Sequence, residues 1–192
     1  MRKIIFASKN KGKVDEVKYI LSDLNVHIIS LDDINESIDI EENGSSFEEN
    51  AMIKAKQVFE KFRIPTIADD SGLVVEQLND EPGIYSARYA GEPSNDRSNN
   101  IKLIEKLKHH PEPHLAKFVC AAVYYDGENN QTAVGVIKGR IIGEERGNNG
   151  FGYDPLFIPD GYSITSAEME PKLKNKISHR FNAFNKLKEL IG

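Results

Sequence analysis

Lys117-Phe-Val-Cys-Ala-Ala-Val-Tyr-Tyr125 and Thr132-Ala-Val-Gly-Val-Ile-Lys-Gly-Arg-Ile-Ile142 flank the polar stretch Asp126-Gly127-Glu-Asn-Asn-Gln131. Two β-rich runs separated by Asp-Gly punctuation read as a hairpin, and a hairpin joins antiparallel strands. Working outward, Lys3-Ile-Ile-Phe-Ala7 is a short strand, Ser8-Lys-Asn-Lys-Gly-Lys13 a polar loop, and Val14, Val17, Ile20 and Leu21 recur at helical spacing. Strand, loop and helix at the start and a hairpin further on predict an α/β fold with a mixed, twisted β-sheet and flanking helices.

The remaining elements fit that plan. His27 to Leu31 alternates weakly and suggests a second strand, and Asp32 to Ser45 is an acidic, aperiodic loop. Ser46-Phe-Glu-Glu49 has capping-box spacing, after which Phe47, Ala51, Ala55, Val58 and Phe62 mark a helix that Pro65 ends. Thr66-Ile-Ala-Asp69 reads as a buried strand delivering Asp69, Asp70, Ser71 and Gly72 into a tight turn, with another short strand at Leu73 to Val75. Asn99 to Leu107 is an amphipathic helix with Ile101, Ile104 and Leu107 inward, and Lys172 to Leu190 a helix presenting Ile177, Phe181, Phe184, Leu187 and Leu190. Gly147-Asn-Asn-Gly-Phe-Gly-Tyr-Asp-Pro155, with three glycines, is irregular backbone.

The 192 residues, with 39% apolar side chains, make one domain or two lobes sharing a core; we take residues 1–192 as a single domain. A net charge of −5 argues against an extended nucleic-acid-binding face, which draws on a basic surplus. The longest apolar run, Phe118 to Tyr125, is far short of the ~20 residues that span a bilayer. With no hydrophobic signal core after Lys3, the expected location is the cytoplasm. Cys120, the single cysteine, excludes an internal disulfide or multi-thiolate zinc site and reads as a small buried hydrophobe.

Four clusters can carry chemistry. Ser8 to Lys13, between a strand and a helix N-terminus, is a plausible phosphate cradle, although it lacks P-loop spacing and three lysines at a surface turn are also ordinary solvated charge. Asp69 and Asp70, at a strand end, can offer one carboxylate to a hard cation such as Mg²⁺, since adjacent residues point opposite ways; the alternative is an Asx-turn. Glu41 and Glu42 are further metal candidates, or solvated loop acids. Phe151 and Tyr153, among glycines, suit ring stacking as well as they suit a core. His179 and Arg180, behind Lys172, Lys174 and Lys176, can donate hydrogen bonds to a carbonyl or phosphate, or form a solvated cationic face.

Taken in order, Ala7-Ser-Lys-Asn-Lys-Gly-Lys13, Ser46-Phe-Glu-Glu-Asn-Ala51 with Lys54, Ala68-Asp-Asp-Ser-Gly-Leu73, Glu81-Pro-Gly-Ile-Tyr-Ser-Ala-Arg88, Gly150-Phe-Gly-Tyr-Asp-Pro155 and Ser178-His-Arg180 resemble the inosine triphosphate pyrophosphatase (Ham1) family over nearly the whole chain. Lys9 departs from the glycine that many members carry. The resemblance implies hydrolysis of ITP, dITP and XTP to the monophosphate and pyrophosphate, in a cleft between two lobes, by a Mg²⁺-dependent homodimer. It implies Asp70 as metal ligand and proton acceptor, Glu41 as second acidic ligand and Ser71 as a substrate contact. Ser8, Lys9, Asn10, Lys11, Gly12, Lys13 and Lys174 would face the phosphates, with Phe151, Gly152, Tyr153 and Asp154 forming the substrate loop.

The donor pattern of the base supports the same assignment. Hypoxanthine and xanthine present a 6-oxo acceptor where adenine presents an amino donor, so His179 and Arg180 as donors would reject ATP. A non-enzymatic nucleotide-binding protein is the competing class, and the acidic pair Glu41 and Asp70 argues against it.

Overall fold

Six strands in the order β2-β1-β3-β4-β5-β6 form one sheet in the computed structural model, which describes every residue except Asn35, Ser37 and Gly192. The strands are β1 (Arg2–Phe6), β2 (Val26–Ser30), β3 (Thr66–Val75), β4 (His114–Tyr125), β5 (Asn130–Ile141) and β6 (Phe157–Pro159). β1 runs parallel to β2 and β3, whereas β5 and β6 are antiparallel, so the sheet is mixed as expected. β4 and β5 are joined through residues 126–129, where Asp126 accepts from the backbone N–H of Glu128 and Asn129 and closes the predicted turn. The helices are α1 (Lys11–Ile20), α2 (Phe47–Phe62), α3 (Asp96–Leu107), α4 (Pro171–Ile177) and α5 (His179–Ile191). None is long and apolar enough to cross a membrane.

The chain divides into two compact units, the first comprising Met1–Asp70, Cys120–Gly135 and His179–Gly192, the second Ser71–Val119 and Val136–Ser178. In the first unit, successive residues of each strand serve opposite layers. Ile4, Phe6, Ile67, Cys120, Ala122 and Tyr124 pack with Val14, Val17 and Ile20 of α1 and Ala183, Phe184 and Leu187 of α5. Ile5, Ala7, Ala68, Ala121 and Val123 pack with Ala51, Ala55 and Val58 of α2. Burial on both sides explains why these strands read as continuous apolar runs instead of alternating ones. Gly135 is fixed by this packing, because a Cβ there would lie 2.1 Å from the His179 carbonyl oxygen and 2.3 Å from the Ala183 nitrogen of α5. The second unit has its own core, with Leu73, Val75, Leu103, Leu107, Phe118, Leu156 and Phe157 buried together.

Several local expectations are corrected. No turn follows Asp69: β3 runs unbroken from Thr66 to Val75, absorbing the separate strand expected at Leu73. The C-terminal helix is two helices, broken where Ser178 takes an extended conformation at ψ 154°. α3 buries Asn99, Asn100, Leu103 and Leu107 and leaves Ile101 49% exposed. The α2 cap uses the Ser46 side chain as predicted, but Glu49 reaches back to the backbone and hydroxyl of Ser45. Within the acidic loop, Asn35 and Ser37 lie outside the described residues.

Candidate functional site

Since Ile67 faces α1 and α5 and Ala68 faces α2, the period-two alternation of β3 sends Asp69 to the first side and Asp70 to the second. The partners follow that division. Asp69 Oδ2 accepts from Lys13 Nζ at 3.2 Å and from Arg180 Nε and Nη2 at 3.2 and 3.1 Å. The third guanidinium nitrogen, Nη1, donates to Glu16 Oε2 of α1 at 2.6 Å. Burial alone would raise the Asp69 pKa, but the charges of Lys13, Arg180 and Lys54 override it and hold the carboxyl well below the usual range. Cys120 lies beside this group with Sγ 3.8 Å from Asp69 Oδ2; burial, then the Asp69 charge, pushes its thiol up.

Asp70 belongs to the α2 side. Asn50 Nδ2 donates to its Oδ2 at 3.2 Å, and Lys54 Nζ stands 3.5 Å from its Oδ1. Asn50 and Lys54 are one helical turn apart and therefore share a face. The same Lys54 ammonium lies 3.0 Å from Glu42 Oε2, while Asn50 Oδ1 accepts from the N–H of Gly44 at 2.8 Å. Glu42 and Asp70 thus share one cation. Glu41, the residue chosen by motif position, has an exposed side chain, and its backbone carbonyl accepts from Gln57. Burial raises the Asp70 pKa and Lys54 and Lys13 offset only part of the rise, which is the direction a proton acceptor requires. Burial would lower Lys54, but the carboxylates of Asp70, Asp69 and Glu42 raise it.

Two carboxylates converging on one positive charge are hard oxygen donors of the kind that hold Mg²⁺, an ion usually bound by one or two carboxylates together with substrate phosphates. Among the described residues no group of three or more His, Cys, Asp or Glu side chains is placed to hold a metal ion.

The polar loop is shorter than predicted, because α1 already begins at Lys11. Lys11, Gly12 and Lys13 form its first turn, and Asn10 is the N-cap, its side chain accepting from the Lys13 N–H at 3.1 Å. Ser8 Oγ accepts from the Asn10 N–H, while Lys9 and Lys11 have exposed side chains. This turn carries no acidic residue. His179, the first residue of α5, is buried.

In the second unit, Ser71 continues β3 beyond Asp70. Asp154 is buried, and its Oδ2 accepts from the Phe151 N–H at 3.0 Å and pairs with Lys174 Nζ at 3.1 Å. Glycine suits position 150: its φ is +77°, which strains other residues, and a Cβ would fall 2.1 Å from Asp154 Oδ2 and force that side chain to move. The Lys174 ammonium lies 4.8 Å from the centroid of the partly buried Phe151 ring. Tyr153 takes the core alternative, 4% exposed, with its hydroxyl donating to the Ser86 carbonyl at 2.8 Å.

Sequence reasoning left Glu16 and Asn50 without roles. Glu16 is a carboxylate beside Val17 on an apolar helix stripe, and Asn50 stands four residues before Lys54 on the α2 face that buries Ala51 and Ala55. Both adjoin a predicted apolar stripe without lying on it, so apolar spacing does not single them out.

The sequence profile described as the Ham1 family matches residues 4–190. The dITP/XTP pyrophosphatase of Oceanobacillus iheyensis is 47% identical over all of this chain and 98% of that protein, and the protein of that name from Bacillus subtilis is 45% identical with the same coverage. Among solved structures, the Ham1 protein of Staphylococcus aureus superimposes with a TM-score of 0.89 at 40% identity, over 99% of this chain and 98% of that one. A HAM1 protein from Coxiella burnetii gives 0.91 at 38% identity, over 100% and 98%.

Proposed function

Because the chain belongs to the Ham1 family, we propose that it hydrolyses the non-standard purine nucleoside triphosphates ITP, dITP and XTP to the monophosphate and pyrophosphate. The observation that carries the chemistry is the Lys54 ammonium shared by Glu42 and Asp70. Asp70, its pKa raised by burial, takes a proton from the water that attacks the α-phosphorus. Asn50 holds that carboxylate from α2, and Lys13 and the open first turn of α1 face phosphate oxygens. Mg²⁺, held by Asp70 and Glu42, would supply charge neutralisation and water activation. In the second unit Phe151 is the stacking ring and Lys174 a further phosphate cation.

His179 is the proposed donor to the 6-oxo group. Arg180, with Nε, Nη1 and Nη2 all engaged by Asp69 and Glu16, anchors the start of α5 beside it. Magnesium dependence, a homodimer and a cytoplasmic location belong to the same proposal.

A substrate panel with separate detection of pyrophosphate and orthophosphate tests it. ITP, dITP and XTP should yield pyrophosphate in one step, ATP and GTP far less, and chelator should stop turnover. Orthophosphate with a diphosphate product, or full turnover in chelator, would refute it.

A further inference from the structure

The peptide groups around Phe151 are held from α3, a helix whose inward face carries asparagines where its apolar spacing predicts isoleucine. Gly152 has a φ of +62° and open space where a Cβ would stand, so nothing of its own fixes the backbone after Phe151. Its N–H donates to Asp96 Oδ2 at 2.7 Å, and its carbonyl accepts from Asn100 Nδ2 at 3.2 Å. Asp96 and Asn100 are four residues apart on one face of α3, so a single helical turn grips both polar groups of one residue. On the other side of the ring, the Phe151 N–H is held by Asp154.

This grip is costly. Asn100 is 2% exposed, its Nδ2 also donates to Glu145 Oε1 at 2.6 Å, and its Oδ1 is buried without a hydrogen-bond partner. A leucine, which shares the branched four-heavy-atom shape, would avoid that desolvation penalty. α3 nonetheless turns Asn100 inward and leaves Ile101 half exposed. Packing does not account for the choice; the hydrogen bonds to the Gly152 carbonyl and to Glu145 do.

We infer that Asp96 and Asn100 are positioning residues that hold the Phe151 ring in the attitude in which it stacks on the purine, so that α3 sets affinity for the base without touching it. The inference rests on the proposed function. A ring on a glycine-flanked loop loses rotational freedom when it stacks, and a loop already bolted to a helix has paid that entropy before the base arrives.

The chain has no tryptophan, so Phe151→Trp supplies a single fluorescent reporter whose mobility is read without substrate. In that background Asp96→Ala and Asn100→Leu should raise acrylamide quenching and lower anisotropy, whereas Asp96→Asn, which keeps an acceptor for the Gly152 N–H, should not. With Phe151 restored, losing a charged hydrogen bond should raise KM for ITP roughly tenfold in Asp96→Ala while kcat stays within about threefold. Asp96 is exposed, so this variant folds even if Asn100→Leu does not. Unchanged quenching in both variants, or a loosened reporter with unchanged KM, overturns the inference. If the parent fails to turn over ITP, the proposed function falls and takes the substrate half of the inference with it; quenching still decides whether the clamp exists.

Discussion

Replacing Asp69 with asparagine should damage the fold far more than the same change at its neighbour. The Asp69 side chain is 1% exposed and its Oδ2 accepts from both Lys13 and Arg180, the latter also 1% exposed. In Asp69→Asn the buried guanidinium keeps Glu16 but faces an amide where a carboxylate stood. Breaking one partner from a buried ion pair costs about 3–5 kcal/mol, and the lower end applies because Glu16 remains and Lys13, 19% exposed, can rehydrate. For a chain of this size, about 3 kcal/mol lowers Tm by roughly 6–12 °C. Asp70→Asn has the opposite profile. Burial already disfavours that charge, so the variant should melt at or above the parent while kcat for ITP falls by roughly 10²–10⁴. Thermal melts and steady-state kinetics on both variants decide the matter. An Asp69→Asn protein melting within about 2 °C of the parent would refute the assignment of Asp69 to the ion-pair network, and near-normal kcat in folded Asp70→Asn would refute the mechanism.

Glu42→Gln should raise the Mg²⁺ concentration needed for half-maximal activity by at least roughly tenfold, whereas Glu41→Gln should leave it nearly unchanged; the reverse order in a Mg²⁺ titration would return the role to Glu41. Tyr89, pushed up to about 12 by burial and by its hydrogen bond to Glu81, favours its neutral form in the folded protein, a contribution present below pH ~10 and lost as pH climbs towards 12. Subtracting the 295 nm titration of Tyr89→Phe from that of the parent should therefore leave a phenolate step near pH 12, and a step at ~10 would contradict it. Gly135→Ala forces a methyl group into the backbone of α5 and should lower Tm by several degrees, as overpacking costs roughly 1–3 kcal/mol; an unchanged melt would show that α5 shifts freely.

The β-hairpin and the helical faces of α1 and α2 were legible because their cues are local: Asp-Gly punctuation and apolar residues at helical spacing. The turn expected after Asp69 shows where local cues fail. Asp-Asp-Ser-Gly has turn chemistry only while its side chains lack distant partners, and Lys13, Arg180, Asn50 and Lys54 supply those partners from α1, α5 and α2. The break at Ser178 carries no proline or glycine and so left no mark in the sequence. Motif order gave Asp70 its proposed role and pointed to Glu41, whereas the proposal of Glu42 rests on the three-dimensional position of Lys54, which no local cue in the sequence discloses.

β3 stands between β1 and β4 in the sheet and runs without interruption through Asp70. An interior strand of this kind opens only when the surrounding structure unfolds, so its amides belong among the slowest in the molecule to exchange with deuterated solvent. The carboxylate proposed to take the proton is therefore carried on one of the least mobile stretches of backbone, so that its placement is largely met during folding. Loop substitutions that slow the proposed entry of nucleotide or release of pyrophosphate should therefore leave the basicity of Asp70 unchanged.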